Sequence, residues 1–413
     1  MNLLAALIVV ALAGETLIRR VADWLDARRC QQRLPDALSD MEDSATRQRS
    51  ADYAWAAFRS DTAASAFFLL VLFAFWFLGG FNALDLWLRD LIGNPILRGA
   101  VYILALLAAR QLVMMPSDVH YSFRVEARFG FTRTTPATFV LDRVKAFLVG
   151  GLVIGPLIAV VLAVFEAGVP LAWLYAWGIV ATFSVVLHFL APAVILPLFN
   201  RFEPLPEGEL RQRLERLLER AEFPARRLSV VDGSRRSTKS NAFFTGFGAN
   251  RRIALFDTLV ENHSAEEIEA VLAHEIGHCK LGHVRTRLVI GIVHAGVLLA
   301  LFSLFIDNRL LHEAFLMEHT SVYASLVFFS LLYSPIEFGL GLVFNALFRK
   351  QEREADRFVR EIGADPRALV GALKSLSVDH LSNLTPHPLS VAINDSHPPL
   401  VQRIDELDKT ASP

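Results

Sequence analysis

Two histidines and a glutamate in the stretch VLAHEIGHCKLGH, residues 271–283, have the types and spacing of a metal-dependent hydrolytic site. His274 and His278 are four residues apart, and side chains at that spacing lie on the same face of a helix, so both imidazoles can bind one ion. Glu275 lies next to the first histidine and can take a proton from a water on that ion without being a ligand. The motif therefore predicts one zinc ion per chain and hydrolysis of a peptide bond.

A third ligand is predicted on a second helix. A catalytic zinc usually has three protein ligands and one open position, and two histidines with a glutamate are a known set. In RKQEREADRFVREIG, residues 349–363, Glu352 and Asp356 are four residues apart on one predicted face. We expect Glu352 to bind zinc and Asp356 to accept the outer ring N–H of a zinc-bound histidine, which fixes the tautomer of that histidine. Glu354, between them, is expected to point elsewhere.

The elements that must position these residues can also be predicted. Ser264 followed by Glu267 is a capping-box pattern, which places the start of the motif helix at Ser264. Upstream, the segment 200–224 contains an amphipathic pattern bounded by prolines, and Gly246 and Gly248 indicate a turn after a short aromatic strand. Short apolar runs bounded by turn residues predict the strands of a small sheet: LSVVD (228–232), IALFD (253–257) and an aromatic strand within SNAFFTGFGANRR (240–252).

The composition indicates a membrane protein. Of 413 residues, 53% are hydrophobic and only 20% are charged, which is too apolar for an ordinary soluble protein. A helical span needs about 20 mostly apolar residues. About seven segments qualify, and the first is interpreted as a retained anchor because no positive region precedes it. The predicted spans are 2–18, 64–84, 99–116, 147–168, 171–195, 288–306 and 321–346.

The positive charges between the spans predict the orientation. Arginine and lysine are concentrated in 19–61 and 117–146 and are scarce in 85–98, 167–170 and 307–320, and loops rich in these residues stay on the cytoplasmic side. The N-terminus is therefore predicted to be extracytoplasmic and the C-terminus cytoplasmic. The predicted division is 1–199 for spans one to five with their cytoplasmic loops, 200–287 for a cytoplasmic domain with the motif helix, 288–346 for spans six and seven, and 347–413 for a C-terminal cytoplasmic segment with the third ligand.

The remaining composition restricts the partners. The net charge is −1, which gives no indication of a nucleic-acid partner. Cys30 and Cys279 are the two cysteines, and both are predicted on the cytoplasmic side, where disulfides are disfavoured. Their spacing does not indicate a thiolate metal site. We expect a monomer in contact with membrane lipid, acting on a peptide or a lipidated protein.

Several motifs together resemble the type I CAAX prenyl proteases, and more distantly the HtpX membrane proteases. The motifs stand in the order of the family: YSFRVEARFGFTRTT (121–135), SNAFFTGFG (240–248), HEIGH (274–278), EREAD (352–356) and SHPPLVQRI (396–404). The resemblance covers nearly the whole chain. It implies a mainly α, polytopic membrane fold of about seven helices around a water-filled chamber, with a cytoplasmic gluzincin-like α+β metalloprotease domain. It also implies an integral membrane zinc protease that processes the C-termini of prenylated proteins.

The resemblance implies three further site residues. Asn241 would lie on the strand that holds an extended substrate, where added main-chain hydrogen bonds give affinity. His397 would act in catalysis by stabilising the oxyanion of the tetrahedral intermediate. Arg403 would bind a substrate or protein carboxylate through its planar guanidinium. His283, five residues after His278, falls about 140° away from it on a continuous helix and is left out of the predicted site, as are Cys279 and His387.

Other functions remain open at this point. The histidine motif could be a chance pattern on a solvated helix, although the second acidic helix argues against that. An HtpX-like protease would cut damaged membrane proteins and need no prenyl group. A zinc-regulated transporter would be expected to show paired inverted repeats, which the sequence lacks. An inactive relative could act as a scaffold. The membrane would be the plasma membrane of a bacterium or the endoplasmic reticulum of a eukaryote.

Overall fold

Helices dominate the computed structural model, which describes residues 2–41, 43–245 and 251–411. The first ten helices are α1 (Leu3–Arg29), α2 (Ser44–Phe77), α3 (Gly80–Leu91), α4 (Pro95–His120), α5 (Pro136–Glu166), α6 (Ala172–Leu190), α7 (Leu196–Phe199), α8 (Glu209–Arg220), α9 (Asp257–Asn262) and α10 (Ala265–Lys280). The rest are α11 (His283–Phe302), α12 (Arg309–Ala314), α13 (Val322–Glu361), α14 (Pro366–Asp379), α15 (Pro388–Asn394) and α16 (Leu400–Ala411). Turns of π-helix continue α4 over Tyr121–Glu126 and precede α7 over Ala191–Ile195.

Six helices in the described part of the chain are long and apolar enough to cross a bilayer: Ser44–Phe77, Pro95–Glu126, Pro136–Glu166, Ala172–Phe199, His283–Phe302 and Val322–Glu361. This confirms a polytopic, mainly helical membrane protein. The predicted span 2–18 lies in α1, which also carries Glu15, Arg19 and Arg20 and is not among the six, so its crossing stays a prediction.

The predicted span 64–84 has the wrong bounds. Helix α2 ends at Phe77, and α3 starts as a separate helix at Gly80. Gly79 between them has a φ of 77°, a left-handed conformation that glycine adopts without steric cost. Hydrophobicity is continuous across this break, so an apolar window cannot detect it.

Helix α13 joins the membrane region to the domain that carries the motif. Its 40 residues give a length of about 60 Å, about twice the thickness of the hydrocarbon core. The first part is apolar, and the last part has the sequence RKQEREADRFVRE. A single continuous helix is therefore long enough to cross the membrane and to place Glu352 and Asp356 beyond it.

A small sheet supports the motif helix. Its strand order is β1 (Phe202–Pro204), β2 (Ala225–Val231), β4 (Arg251–Phe256) and β3 (Ala242–Thr245), with β2 and β4 parallel and the other pairs antiparallel. The predicted strands and amphipathic helix are confirmed, whereas β1 was not predicted. Strand β3 lies at the edge of the sheet. The predicted turn at Gly246 and Gly248 lies outside the described residues.

Two large apolar cores form beside two smaller clusters. In the membrane core, the ring of Phe315 stacks between Trp76 and Phe328, with centroid distances of 4.1 and 3.9 Å. The second core lies under the motif helix and includes Ile268 and Ile276 of α10 together with Val359 of α13, β4 and α8. Because α10 and α13 share this core, their relative position is set by packing and not only by polar contacts.

Candidate metal centre

The motif helix α10 begins as the sequence predicts. The Ser264 hydroxyl accepts from the Glu267 backbone N–H, and the Glu267 carboxylate accepts from the Ser264 N–H, so the capping box is complete. The apolar side chains Ile268, Leu272 and Ile276 are buried in the domain core. The helix is thereby fixed with His274 and His278 on another face.

A glycine inside the motif allows the two helices of the site to approach closely. A Cβ atom at Gly277 would lie 3.1 Å from Phe358 Cβ and 3.2 Å from Ala355 Cα, both on α13. Contacts that short are tighter than nine in ten real Cβ contacts, so a larger residue would force the helices to shift. The small residue in H-E-I-G-H therefore helps to bring the carboxylate of Glu352 to the two histidines.

The three predicted ligands converge on one point. The Nε2 atoms of His274 and His278 are 3.1 Å apart. The Glu352 carboxylate oxygens are each 3.3 Å from one of these nitrogens, Oε2 from His274 and Oε1 from His278. No other group of three or more such side chains in the described residues has this geometry.

This arrangement fits a cation. Glu352 is only 2% exposed, and its Oε2 accepts no hydrogen bond from the described residues. Two imidazole nitrogens and an unpaired, buried carboxylate oxygen face one another here. All three are electron-pair donors, and a cation between them would offset the cost of burying them. The donor set is the His, His, Glu set of catalytic zinc sites.

Asp356 lies behind the first ligand. Its Oδ1 is 2.8 Å from His274 Nδ1, the ring nitrogen that faces away from the site. Although burial alone would lower the pKa of His274, the carboxylates of Asp356 and Glu352 raise it to about 9. The same negative field that stabilises a proton on this imidazole favours a cation in front of it.

Arg403 binds a carboxylate of the protein, one of the two alternatives predicted for it. Its Nε and Nη2 atoms donate to the two oxygens of Asp356 at 2.8 and 2.6 Å, and the residue is only 8% exposed. This buried, bidentate pair uses the Nε and Nη2 edge of the guanidinium, which is therefore not open to a substrate carboxylate. Of the two predicted alternatives the structure shows the protein carboxylate: Arg403 holds Asp356, which in turn holds His274.

His283 and Glu354 were missed by the sequence reasoning. His283 Nδ1 lies 3.1 Å from His278 Nδ1, and its other nitrogen lies 3.0 Å from Glu354 Oε2. The helical-wheel angle is invalid here because α10 ends at Lys280 and Gly282, with a φ of 75°, starts a new helix. Each of the two predicted histidine ligands thus has a partner on its outer nitrogen, Asp356 for His274 and His283 for His278.

Glu275 has the environment of a general base. It lies on α10 between the two ligand turns and is half-buried. Burial raises the pKa of its carboxyl, and the neighbouring His274 and His278 oppose that shift. A raised pKa brings a carboxylate closer to working pH, where general acid–base catalysis is most efficient.

The C-terminal segment brings His397 to the site. His397 Nε2 is 3.5 Å from Glu352 Oε2 and its Nδ1 is 3.1 Å from Ser396 Oγ; the side chain is 62% exposed, so the ring is accessible. Arg349 of α13 donates to the carbonyl oxygens of Val391 and Asp395 at 2.9 and 2.7 Å. These contacts hold the end of α15, and therefore the chain leading to His397, against the helix that carries Glu352.

Asn241 lies at the beginning of the edge strand. Its carbonyl oxygen accepts from the Phe256 N–H at 2.9 Å, and its side-chain oxygen accepts from the Ala242 N–H at 2.8 Å. The side chain is exposed. Strand β3 packs against α10, so an extended peptide added along its free edge would run past the motif helix.

Comparison with known proteins agrees with this geometry. Residues 25–201 match a family described as "CAAX prenyl protease N-terminal, five membrane helices", and residues 204–411 match peptidase family M48. The chain belongs to family M48. It is therefore a metallopeptidase, and its apolar helices make it an integral membrane protein.

Individual relatives cover most of the chain. It is 36% identical to a CAAX prenyl protease 1 homolog of Oryza sativa subsp. japonica, over 77% of this chain and 75% of the relative. It is 32% identical to CAAX prenyl protease 1 of Saccharomyces cerevisiae, over 72% of this chain and 69% of the relative. The crystal structure of S. mikatae Ste24p covers 99% of both chains with a TM-score of 0.92 at 26% identity. The resemblance to the CAAX prenyl proteases is confirmed.

Proposed function

We propose that this protein is a zinc metalloendopeptidase that cleaves prenylated, CAAX-type proteins near their C-terminus. The observation that carries the proposal is the convergence of His274, His278 and Glu352, with Glu275 beside them, at the end of a membrane-spanning helix. The similarity to CAAX prenyl proteases over three quarters of the chain supports the substrate class.

The roles of the residues follow from their positions. Bound zinc would supply a Lewis acid and an acidified water. Glu275, which follows His274 in the chain and whose carboxyl lies in the field of both histidines, takes the proton from the attacking water and passes it to the leaving amine. His397 donates to the oxyanion from its exposed edge. Asn241 and the free edge of β3 hold the substrate backbone.

We also propose the topology. The N-terminus is extracytoplasmic and the C-terminus is cytoplasmic, with seven spans when α1 is included. The segments 200–287 and 347–413 form the cytoplasmic peptidase unit, while 1–199 and 288–346 form the membrane unit. The supporting observation is that 19–61 and 117–146, rich in arginine, lie on the same side as the peptidase: Tyr53 and Lys239 both contact Glu126. We infer that the active unit is a monomer without a nucleic-acid partner.

The substrate class can be tested with two peptides that differ only in a prenyl group on cysteine. We expect kcat/KM for the prenylated peptide to be more than about tenfold higher, since burying two methylene groups already gives that factor at about 0.8 kcal/mol each. Purified protein in detergent and quantified cleavage products would measure the ratio. Equal cleavage of the two peptides would favour the HtpX-like, prenyl-independent function.

The contact between His283 and the second ligand predicts an effect on metal affinity. Replacing His283 by phenylalanine removes the partner of His278 Nδ1, and loss of such a partner typically costs about 10- to 100-fold in metal affinity. Competition with a chelator would measure the dissociation constant of zinc. Lys280→Gln, an exposed change near the same turn, is the control. Unchanged zinc affinity in His283→Phe with an unchanged melting temperature would contradict the role.

A further inference from the structure

A groove between α2 and the end of α4 is separate from the metal centre. It has a volume of about 860 Å³. Arg59, Ala63 and Phe67 line one wall from α2, and His120, Arg124 and Arg128 line the other wall. The lining includes three arginines and a histidine but no aspartate or glutamate.

The spacing of these residues makes each wall a continuous stripe. Arg59, Ala63 and Phe67 follow one another at intervals of four, so they lie on one face of α2. His120, Arg124 and Arg128 have the same interval along the π-helical end of α4. Each stripe is basic at the end nearer the peptidase unit, and on α2 it becomes apolar towards the membrane. The groove therefore has a cationic part near the peptidase unit and an apolar part near the membrane.

The arginines of the groove are not neutralised within the described part of the chain. No carboxylate there lies within ion-pair distance of Arg59, Arg124 or Arg128, and all three are exposed. Among the described residues, the guanidinium of Arg128 lies over the ring of Phe129, with 5.4 Å to the ring centroid. Like charges that line one cavity repel each other, and a bound anion would remove that repulsion.

The position of the groove indicates where the anion comes from. The uncharged apolar run of α2 begins just after Arg59 and Asp61, so the groove lies where that helix enters the hydrocarbon core. Lipid phosphates lie at this level. On α2, Ala54 lines the cavity that contains His397 and Arg403, and Arg59 is five residues further, about 140° around the helix. The groove thus faces away from the peptidase site.

We propose that this groove binds one anionic phospholipid. Arg59 and Arg124 hold the phosphate, because the planar guanidinium matches phosphate oxygens in pairs. Ala63 and Phe67 contact the first part of the acyl chains. Basic pockets between spans on the cytoplasmic side are a known way to bind anionic headgroups.

Arginines at span ends also follow from the positive-inside tendency, but that tendency explains neither the cavity nor the division of its walls into a cationic and an apolar part. The proposal does not depend on which peptide the enzyme cleaves.

The test uses the full chain in nanodiscs of phosphatidylcholine with a minor fraction of phosphatidylglycerol. Native mass spectrometry would count the phosphatidylglycerol molecules that stay bound to the protein after it is released from the nanodisc. We expect one retained lipid in the wild type. Arg59→Gln with Arg124→Gln should weaken retention about 30-fold, because each arginine contributes about 1 kcal/mol. The control pair Arg33→Gln with Arg133→Gln removes two exposed charges outside the groove and should retain lipid like the wild type.

Several outcomes would overturn the proposal. Equal loss in both variant pairs would show a general charge effect, and full retention in the groove variant would show that the lipid binds elsewhere. Displacement of the lipid by inorganic phosphate alone would make the groove a phosphate site. Displacement by a peptide with a free C-terminal carboxylate would make it a substrate groove. Thermal unfolding of each variant in lipid-free detergent identifies a folding defect, and peptide cleavage there should equal that of the wild type.

Discussion

Replacing Glu275 by glutamine is expected to leave zinc bound and to lower kcat by about 100- to 10,000-fold, the range typical of a lost general base. The amide has nearly the same shape as the carboxylate but cannot accept a proton from the attacking water. Its loss does not remove a ligand, because the convergent donors are those of His274, His278 and Glu352. Metal content by mass spectrometry and cleavage of a prenylated peptide would be measured on the same sample.

A control variant on the same helix separates this effect from a change of charge. Glu266→Gln makes the same substitution at an exposed position whose ion pair with Arg213 lies on the surface, and such pairs contribute little to stability. Its activity should equal that of the wild type. An active Glu275→Gln enzyme would refute the mechanism, and loss of zinc from that variant would show that Glu275 holds the ion instead.

The convergence of the three predicted ligands could be anticipated because most of the information is local. His274 and His278 lie within one helix whose start is fixed by Ser264, so their shared face follows from helical geometry alone. Glu352 lies more than seventy residues further on and was chosen by residue type and spacing to Asp356. Its approach to the histidines depends on close packing at Gly277, which sequence patterns do not show.

The contacts that were missed or left open are those between distant elements. The sequence shows that Arg403 can bind a carboxylate but does not show which one. Its partner, Asp356, is 47 residues away, and a substrate carboxylate would have fitted the pattern equally well. For His283, the error came from extending one helix through Gly282, where a left-handed residue turns the chain. A glycine shortly after a motif is a signal that could have corrected it.

The approximate place of six of the seven predicted spans could be read from the sequence, but their ends could not, and the seventh, 2–18, stays a prediction. An apolar window detects transfer free energy, and α2 and α13 continue as helices well beyond the hydrocarbon core. These extensions matter because they carry the site residue Glu352 and the groove residue Arg59. Strand β1 was missed because its three residues, between Arg201 and Leu205, include a proline and show no alternation.

Replacing Glu352 by glutamine is expected to abolish both zinc binding and peptide cleavage. The carboxylate contributes the anionic donor of the set, and a neutral amide in its place would leave two imidazoles, which fall short of the three ligands that a catalytic site uses. The loss of zinc affinity should exceed the about 10- to 100-fold expected for the outer contact in His283→Phe. Zinc titration against a chelator would compare the two variants directly.

Helix α13 supplies the matched control for this prediction. Glu361→Gln changes an exposed carboxylate at the end of the same helix and should alter neither zinc affinity nor cleavage. Glu352 is also buried, so its loss could affect folding; circular dichroism and the melting temperature of both variants, each measured with chelator present, reveal such an effect. A folded Glu352→Gln protein that binds zinc as tightly as the wild type would exclude this carboxylate as a ligand. The ion would then be held by donors other than the set of His274, His278 and Glu352 that the packing of α10 against α13 brings together.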